Sequence, residues 1–349
     1  MTNSVRGMAD SATLIVRIPN WLGDAVMALP AMAAVRRATS GSLILAGPPS
    51  IVPLFEEETD AAPDGILAIE KDREVERLRA RGAGTILLLP NSFRSAWIAS
   101  RSGIPERWGY RTAGRGLLLT RSPRAPRGTM HQRLYYLELV RALEIPAADD
   151  VPRMRARALS RERADTMLKN AGVSLGDVLV GFAPGAAYGQ AKRWPPDRVA
   201  AVIERLASRG VRAVLLGADA DRATARAIES ALPAGVRPID LVGRTSLREL
   251  AGVLARCAAF VSNDSGAMHV AAALGVPVTA VFGPTNERET SPEGPAAHDI
   301  ILRHVFCRPC MLRDCPIDHR CMKRIGVDDV IASVEKHLEV RSSGSLSGS

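Results

Sequence analysis

Residues 258–284, AAFVSNDSGAMHVAAALGVPVTAVFGP, limit the fold more than any other stretch of the chain. Phe260-Val261-Ser262 closes a short apolar run of strand type. Asn263-Asp264-Ser265-Gly266 is then a polar turn with helix-start chemistry, because Asp and Ser side chains accept the free N–H groups of a first helical turn. Ala267 to Leu274 supplies helix formers, Gly275 a C-terminal stop, and Pro277 opens a second apolar run, Val278 to Phe282. Strand, turn, helix and strand in this order are the unit of a parallel α/β sheet. Such sheets bind ligands beyond the carboxyl ends of their strands, and the N–H groups of a helix start hold anions. Gly266 allows close backbone approach, and His269 sits one turn in, aimed back at the same place. Spacing alone also allows Asp264 and Ser265 to be an N-cap and His269 a packed helix residue.

The same alternation runs through the chain twice. The first series has strands at 13–18, 42–46, 65–69 and 85–89, with helices near 25–37, 50–57, 72–81 and 92–102. Pro30 interrupts the first of these helices and is expected to kink it. Residues 103–130 read as irregular, 132–143 as a helix, and 146–163 as a connection rich in Pro, Asp and Arg. The second series starts with a strand at 178–182 and continues with strands at 213–216, 239–242, 260–262 and 278–282. Its helices are expected near 196–208, 221–231, 246–256, 266–274 and 327–339. The near-continuous apolar strands are those of a sheet covered on both faces. The expected fold is α/β, two Rossmann-like doubly wound domains facing a central cleft: a domain over 12–160, a second over 161–326, and a last helix at 327–340. Residues 1–11 and 341–349 are expected to be disordered.

Three further loops fall at strand ends. Asn20-Trp-Leu-Gly-Asp24 follows the first strand, and Asp24 is either a helix N-cap or a carboxylate presented as a base. Pro90-Asn91-Ser92 follows the strand at 85–89. Ala183 to Lys192 is glycine-rich, so its backbone N–H groups can lie along phosphates while Lys192 neutralises them. No G-x-G-x-x-G follows a strand, G-x-x-x-x-G-K-[ST] does not occur, and no G-x-S-x-G forms a strand-to-helix elbow (Gly172 to Gly176 precedes the strand at 178–182), which argues against a dinucleotide dehydrogenase, a P-loop ATPase and a hydrolase of the nucleophile-elbow type.

A formal net charge of +9 points to an anionic partner. Between Arg94 and Arg133 lie Arg101, Arg107, Arg111, Arg115, Arg121, Arg124 and Arg127 against a single acid, Glu106. Aromatic residues are only 4% of the chain, too few for a base-stacking platform, so nucleic acid is not expected. No apolar run reaches the ~20 residues of a membrane span, and the N-terminus lacks a signal-peptide core, so a cytoplasmic location is expected. Cys307, Cys310, Cys315 and Cys321 form C-x2-C-x4-C-x5-C within fifteen residues. They read either as a structural zinc site or as reduced thiols in a compact loop, and Cys257 as a core residue.

Ile18-Pro-Asn-Trp-Leu-Gly-Asp24, Leu89-Pro-Asn-Ser-Phe-Arg-Ser95, Pro184 to Pro195, Asn263 to Ala273 and Phe282-Gly-Pro284 together resemble the ADP-heptose:lipopolysaccharide heptosyltransferases of glycosyltransferase family 9, most closely the heptosyltransferase II branch. The resemblance spans about residues 13–285 in matching order. It implies a GT-B glycosyltransferase that moves L-glycero-D-manno-heptose from ADP-heptose to the first heptose of the lipopolysaccharide inner core, with inversion and with no metal or other cofactor. It gives Asp24 the role of general base and sets Lys192 on the departing diphosphate. Asp264 is expected at the donor heptose hydroxyls, Ser265, Gly266 and His269 at the diphosphate, and Gly185 within the donor site. Thr245, within Gly243–Ser246, is assigned to adenine, and Asp219 or Asp221 to ribose. Asn20, Asn91, Ser92, Arg94, Arg111 and Arg115 are assigned to the lipid A–Kdo–heptose acceptor, met by peripheral contact at the cytoplasmic face of the inner membrane. Ala186, Ala187 and Tyr188 stand where heptosyltransferase I relatives carry hydroxyl residues, leaving only backbone N–H groups there. The alternatives are another sugar-nucleotide enzyme of this fold, a heptosyltransferase I-like transferase or an epimerase, and a non-catalytic anion-binding module.

Overall fold

A computed structural model describes residues 12–344. Residues 1–11 and 345–349 lie outside the described residues, and with them most of the expected disorder. The chain divides into two compact units between Met154 and Arg155.

The first unit contains strands β1 (Leu14–Arg17), β2 (Leu43–Gly47), β3 (Glu58–Thr59), β4 (Gly65–Ala68), β5 (Thr85–Leu88) and β6 (Glu106–Trp108), with β7 (Met154–Arg155) at the passage to the second. Its helices are α1 (Leu22–Met27), α2 (Leu29–Ala38), α3 (Glu74–Arg79), α4 (Phe93–Arg101) and α5 (Gln132–Ala142). Five strands form a parallel sheet in the order β4-β2-β1-β5-β6. All four residues of β1 and of β5 are buried, as in a sheet covered on both faces.

Two local expectations change. The helix expected over 25–37 is two helices that break at Ala28, and Pro30 sits in the first turn of α2, where its missing N–H costs nothing. The first of them begins at Leu22, three residues earlier than expected, so Asp24 lies inside a first turn. The stretch expected to be irregular contains β6, whose residues Glu106 to Trp108 lie opposite Thr85 to Leu87.

The second unit contains β8 (Leu179–Ala183), β9 (Arg212–Leu215), β10 (Ile239–Asp240), β11 (Ala259–Asn263), β12 (Val278–Phe282) and β13 (His298–Leu302). All six are parallel, in the order β10-β9-β8-β11-β12-β13. Helices α6 (Ala158–Asn170), α7 (Pro196–Ala207), α8 (Arg222–Ala231), α9 (Leu247–Arg256), α10 (Gly266–Ala273), α11 (Glu287–Thr290), α12 (Arg320–Lys323) and α13 (Val327–Gly344) complete it. The second half of the expected connection is α6, which packs on α9. Gly252 permits that approach, since a side chain there would meet the Ser160 carbonyl at 2.2 Å. The edge strand β13 was not expected, and α13 continues four residues into the expected tail. Among the described residues no helix is long and apolar enough to cross a membrane.

Counted within each unit, and leaving out the two-residue β3 and β7, both sheets begin 3-2-1-4-5. The chain therefore reverses direction across the sheet between β1 and β5 in the first unit and between β8 and β11 in the second. Ligands of doubly wound folds bind at this point, beyond the strand ends.

Candidate active site

In the second unit the loops after β8 and β11 emerge side by side at the reversal point. Asn263, at the end of β11, staples them: its amide nitrogen donates to the carbonyls of Pro184 and Gly185 at 2.7 and 3.3 Å, and its oxygen accepts from the Trp194 N–H at 3.2 Å. One residue on, the Asp264 carboxylate receives the Lys192 ammonium at 2.6 Å. Asp264 is buried and Lys192 is only 12% exposed. The Lys192 ammonium also lies 4.8 Å from the centre of the Tyr188 ring. Asp264 is thus not the helix cap that spacing allowed, because its side chain is turned to a lysine 72 residues away.

The cap position of α10 belongs to Ser265, yet its side chain makes no cap hydrogen bond and instead meets the Ser262 hydroxyl at 2.9 Å. Ser265 and Gly266 keep some exposure, so this helix start can offer its N–H groups to an anion. His269 lies in the same helix and is buried.

Asp219, Asp221, Gly185 and Thr245 gather at the neighbouring strand ends. Gly185 packs so tightly on Asp221 that a side chain would fall 2.2 Å from the carboxyl carbon. That carboxylate accepts from the Ala218 N–H at 3.1 Å and pairs with Arg193 at 3.3 Å. Its oxygens therefore already hold two loops together, whereas the Asp219 carboxylate is exposed and paired with Arg222 at 2.5 Å. Gly243, at φ +68°, lies against Asp219, since a Cβ there would be 3.0 Å from its Cα. Thr245 precedes Ser246, which caps α9 in a reciprocal arrangement with Glu249.

In the first unit, Asp24 is half-buried in the first turn of α1, whose cap position is Trp21, so it is not an N-cap either. Its charge reaches the buried Tyr136 phenol, whose pKa is pushed well above the ordinary value, first by burial and then by Asp24. Asn20 is exposed, and its side chain accepts from Arg17 at 2.8 Å. Arg17 in turn donates to Glu74 at 3.1 Å, and Arg94 reaches the other Glu74 oxygen at 2.8 Å. Ser92 caps α4 by accepting the Ser95 N–H at 3.2 Å.

Arg115, expected at the acceptor, is instead fully buried, and its guanidinium donates to the carbonyls of Tyr110 and Pro90 and to the Asn91 side chain. Burial lowers its pKa to about 10. Asn91 is held between Arg115 at 3.2 Å and the Tyr135 hydroxyl at 2.8 Å. Arg107 likewise donates to the carbonyls of Ile104, Pro105 and Leu118. Of the arginine-rich stretch, Arg94, Arg101, Arg111, Arg124 and Arg127 remain exposed.

Sequence reasoning read Asn263 only as part of the polar turn, and it gave no role to Arg193 or to the packing partners of the lysine loop. Tyr188 donates its hydroxyl to the Met311 carbonyl at 2.8 Å, and Arg313 stacks on its ring at 5.1 Å. The Ala191 N–H donates to the Arg313 carbonyl at 2.9 Å. These partners lie in the four-cysteine segment, which no local pattern ties to residues 188–191.

A family model described as glycosyltransferase family 9 (heptosyltransferase) matches residues 73–320. The chain is 36% identical over 215 residues to lipooligosaccharide heptosyltransferase 2 of Haemophilus influenzae, a match that spans 59% of this chain and 62% of that one. It is 31% identical over 296 residues to lipopolysaccharide heptosyltransferase 2 of Salmonella typhimurium, spanning 80% and 85%. The solved ADP-heptose lipopolysaccharide heptosyltransferase II of E. coli superposes with a TM-score of 0.81 at 25% identity, over 95% of this chain and 99% of that one.

Proposed function

The chain belongs to glycosyltransferase family 9, the heptosyltransferases, and carries their GT-B fold; from that premise we propose that it moves a heptose from ADP-heptose to the first heptose of a lipopolysaccharide inner core. The observation that carries the donor half is the Lys192–Asp264 pair at the reversal point of the second unit, beside the helix start of α10. A diphosphate seated at that helix start takes Lys192 as its counter-ion. Asp264, released from the ammonium, is then free to accept hydrogen bonds from the sugar hydroxyls. Asp219 and the Gly243–Ser246 loop, which touch one another, offer the adjoining surface for adenosine.

Asp24 serves as the base. It takes the proton of the acceptor hydroxyl while that oxygen attacks the anomeric carbon, and the bond from this carbon to the diphosphate oxygen breaks on the opposite face, so configuration inverts. The charge that develops on the departing ADP falls on Lys192 and the α10 N–H groups, a fixed arrangement that needs no reorganisation. Asn20, Asn91 and Ser92, with the exposed Arg94 and Arg111, offer polar and cationic groups to an acceptor bearing phosphates and carboxylates at the cytoplasmic membrane face.

The test is incubation with ADP-heptose and two acceptors, lipid A–Kdo with and without one heptose, read by mass spectrometry. One heptose added only to the heptose-bearing acceptor is expected. Addition to the heptose-free acceptor would instead make this chain an enzyme of the first transfer. A thermal-shift series with ADP, UDP and GDP separates the donor question, because a ligand that binds only the folded state raises its stability by mass action. A shift with ADP alone is expected, and a preference for UDP or GDP would discard the heptose donor.

A further inference from the structure

The four-cysteine segment is not used by the reaction above, yet it forms the floor of the loop that carries Lys192. We propose that Cys307, Cys310, Cys315 and Cys321 together bind one thiophilic divalent metal ion as a tetrathiolate, and that this site braces residues 188–192 from below. The metal site stands whatever the substrate is; only its consequence for Lys192 rests on the transfer reading.

Separate contacts gather the four cysteines. The N–H groups of Cys310 and Met311 both donate to the Pro284 carbonyl at 3.0 Å. Cys321 approaches the preceding residue, Gly283, where an added Cβ would lie 3.4 Å from its sulfur and 2.3 Å from the Met322 sulfur. Cys310 and Cys321 therefore converge on one corner of the chain, Gly283-Pro284. The Cys315 sulfur accepts the His319 N–H at 3.3 Å, which ties it to the start of α12. Arg320, in the same turn, stacks at 4.9 Å on Phe306, the neighbour of Cys307. All four are free thiols, and Cys307, Cys310 and Cys315 are partly exposed while Cys321 is buried.

Among the described residues no three His, Cys, Asp or Glu side chains already have the spacing of a ligand set. The thiols must therefore draw together around the ion. On binding, each sulfur forms a bond to the metal and loses its proton to solvent, so a divalent ion and four thiols give a complex of net charge minus two. Arg308, Arg313 and Arg320 lie within the segment, so a complex of net charge minus two forms among cations. Cytoplasmic redox conditions disfavour the competing disulfides.

The stretch between the second and third cysteines touches the lysine loop at three places. Tyr188 donates to the Met311 carbonyl, Ala191 donates to the Arg313 carbonyl, and the Arg313 guanidinium stacks on the Tyr188 ring. Gly189 fits so closely over Arg313 that a side chain would meet its carbonyl oxygen at 2.4 Å. Fixing residues 310–315 on a metal therefore limits the motion of the loop from which Lys192 extends.

The full chain, purified without chelator, is analysed for zinc and iron by plasma mass spectrometry. Chelator-treated protein is then titrated with Co²⁺ and afterwards with Zn²⁺. About one metal ion per chain is expected, with sulfur-to-cobalt charge-transfer absorption that Zn²⁺ abolishes, as a closed thiolate site requires. Cys310→Ser should weaken cobalt binding by at least about tenfold while circular dichroism stays unchanged, and Cys257→Ser should leave the cobalt spectrum as it is. Hydrogen exchange at residues 188–192 should quicken by about tenfold or more on metal removal. Wild-type protein with less than about a tenth of an equivalent of metal and no charge-transfer absorption would overturn the proposal. So would a cobalt spectrum untouched by Cys310→Ser, or disulfides among these residues in freshly isolated protein. None of these readouts depends on heptose transfer.

Discussion

At the reversal point of the second sheet a lysine and a carboxylate neutralise each other at 2.6 Å, with a helix start open beside them. At the same point of the first sheet the buried cations hold framework: Arg17 pairs with Glu74, and Arg115 is buried on the carbonyls of Tyr110 and Pro90. Both units start from the same strand order and deliver polar loops to the same edge. What differs is which charges are available. A diphosphate needs a cation that can change partner and N–H groups with no side chain on them. A base needs a rigid frame that fixes its place, and the proposed base, Asp24, sits in the first turn of α1.

Five variants sharpen that contrast. The largest effect is expected from Asp24→Asn, which removes the proposed base and should lower transfer by roughly 10²–10⁴-fold in steady-state assays at saturating donor. Next is Lys192→Ala, with a loss in kcat of roughly 10²–10³-fold. That variant also leaves Asp264 buried and unpaired, at a cost of up to about 3–5 kcal/mol. The double variant Lys192→Ala with Asp264→Asn should therefore regain much of the melting temperature but none of the activity. A double variant that stays unstable would mean that the pair is held by something other than its charges.

Arg115→Ala belongs to the first unit alone. It strips the partners from two carbonyls and from Asn91, and should cost roughly 2–4 kcal/mol in urea unfolding while ADP binding is unchanged. The smallest effect is a pH dependence of the second unit. Burial, helped by the charge of His337, lowers the His298 pKa from 6.5 to about 4. A group that binds its proton less readily when folded stabilises fully above its unfolded pKa. That stability is lost as pH falls from about 6.5 toward about 4, roughly 2 kcal/mol of it by pH 5. His337 is displaced the same way, so it adds to the loss. His298→Leu should shrink the drop in melting temperature between pH 7.5 and pH 5, and an unchanged drop would assign it elsewhere.

The parallel strands of both units were readable because each is a short apolar run closed by a polar turn, a pattern written locally. Residues Asn263 to Gly266 marked their own site for the same reason. What could not be read locally was what each charge meets. Asp264 looks like a cap until Lys192 arrives from another loop. Asp221 was assigned to ribose, but Arg193 and the Ala218 N–H take its oxygens. Arg115 resembled its exposed neighbours in sequence, and nothing in GRGLLL signals that this one arginine is interior. Helix α6 escaped notice because its buried Ser160, Ala164 and Leu168 make a thin, partly polar stripe. Its place is fixed by α9, not by its own pattern. The edge strand β13 is half-exposed along its length and carries none of the continuous burial of the other long strands.

Calorimetric titration of ADP into Asp24→Asn and Lys192→Ala, side by side with the unchanged chain, tests the division of labour between the two reversal points most directly. The account predicts that Asp24→Asn binds ADP like the unchanged chain while Lys192→Ala loses at least about tenfold in affinity, or 1.4 kcal/mol. Equal losses in both variants, or full affinity in Lys192→Ala, would contradict it.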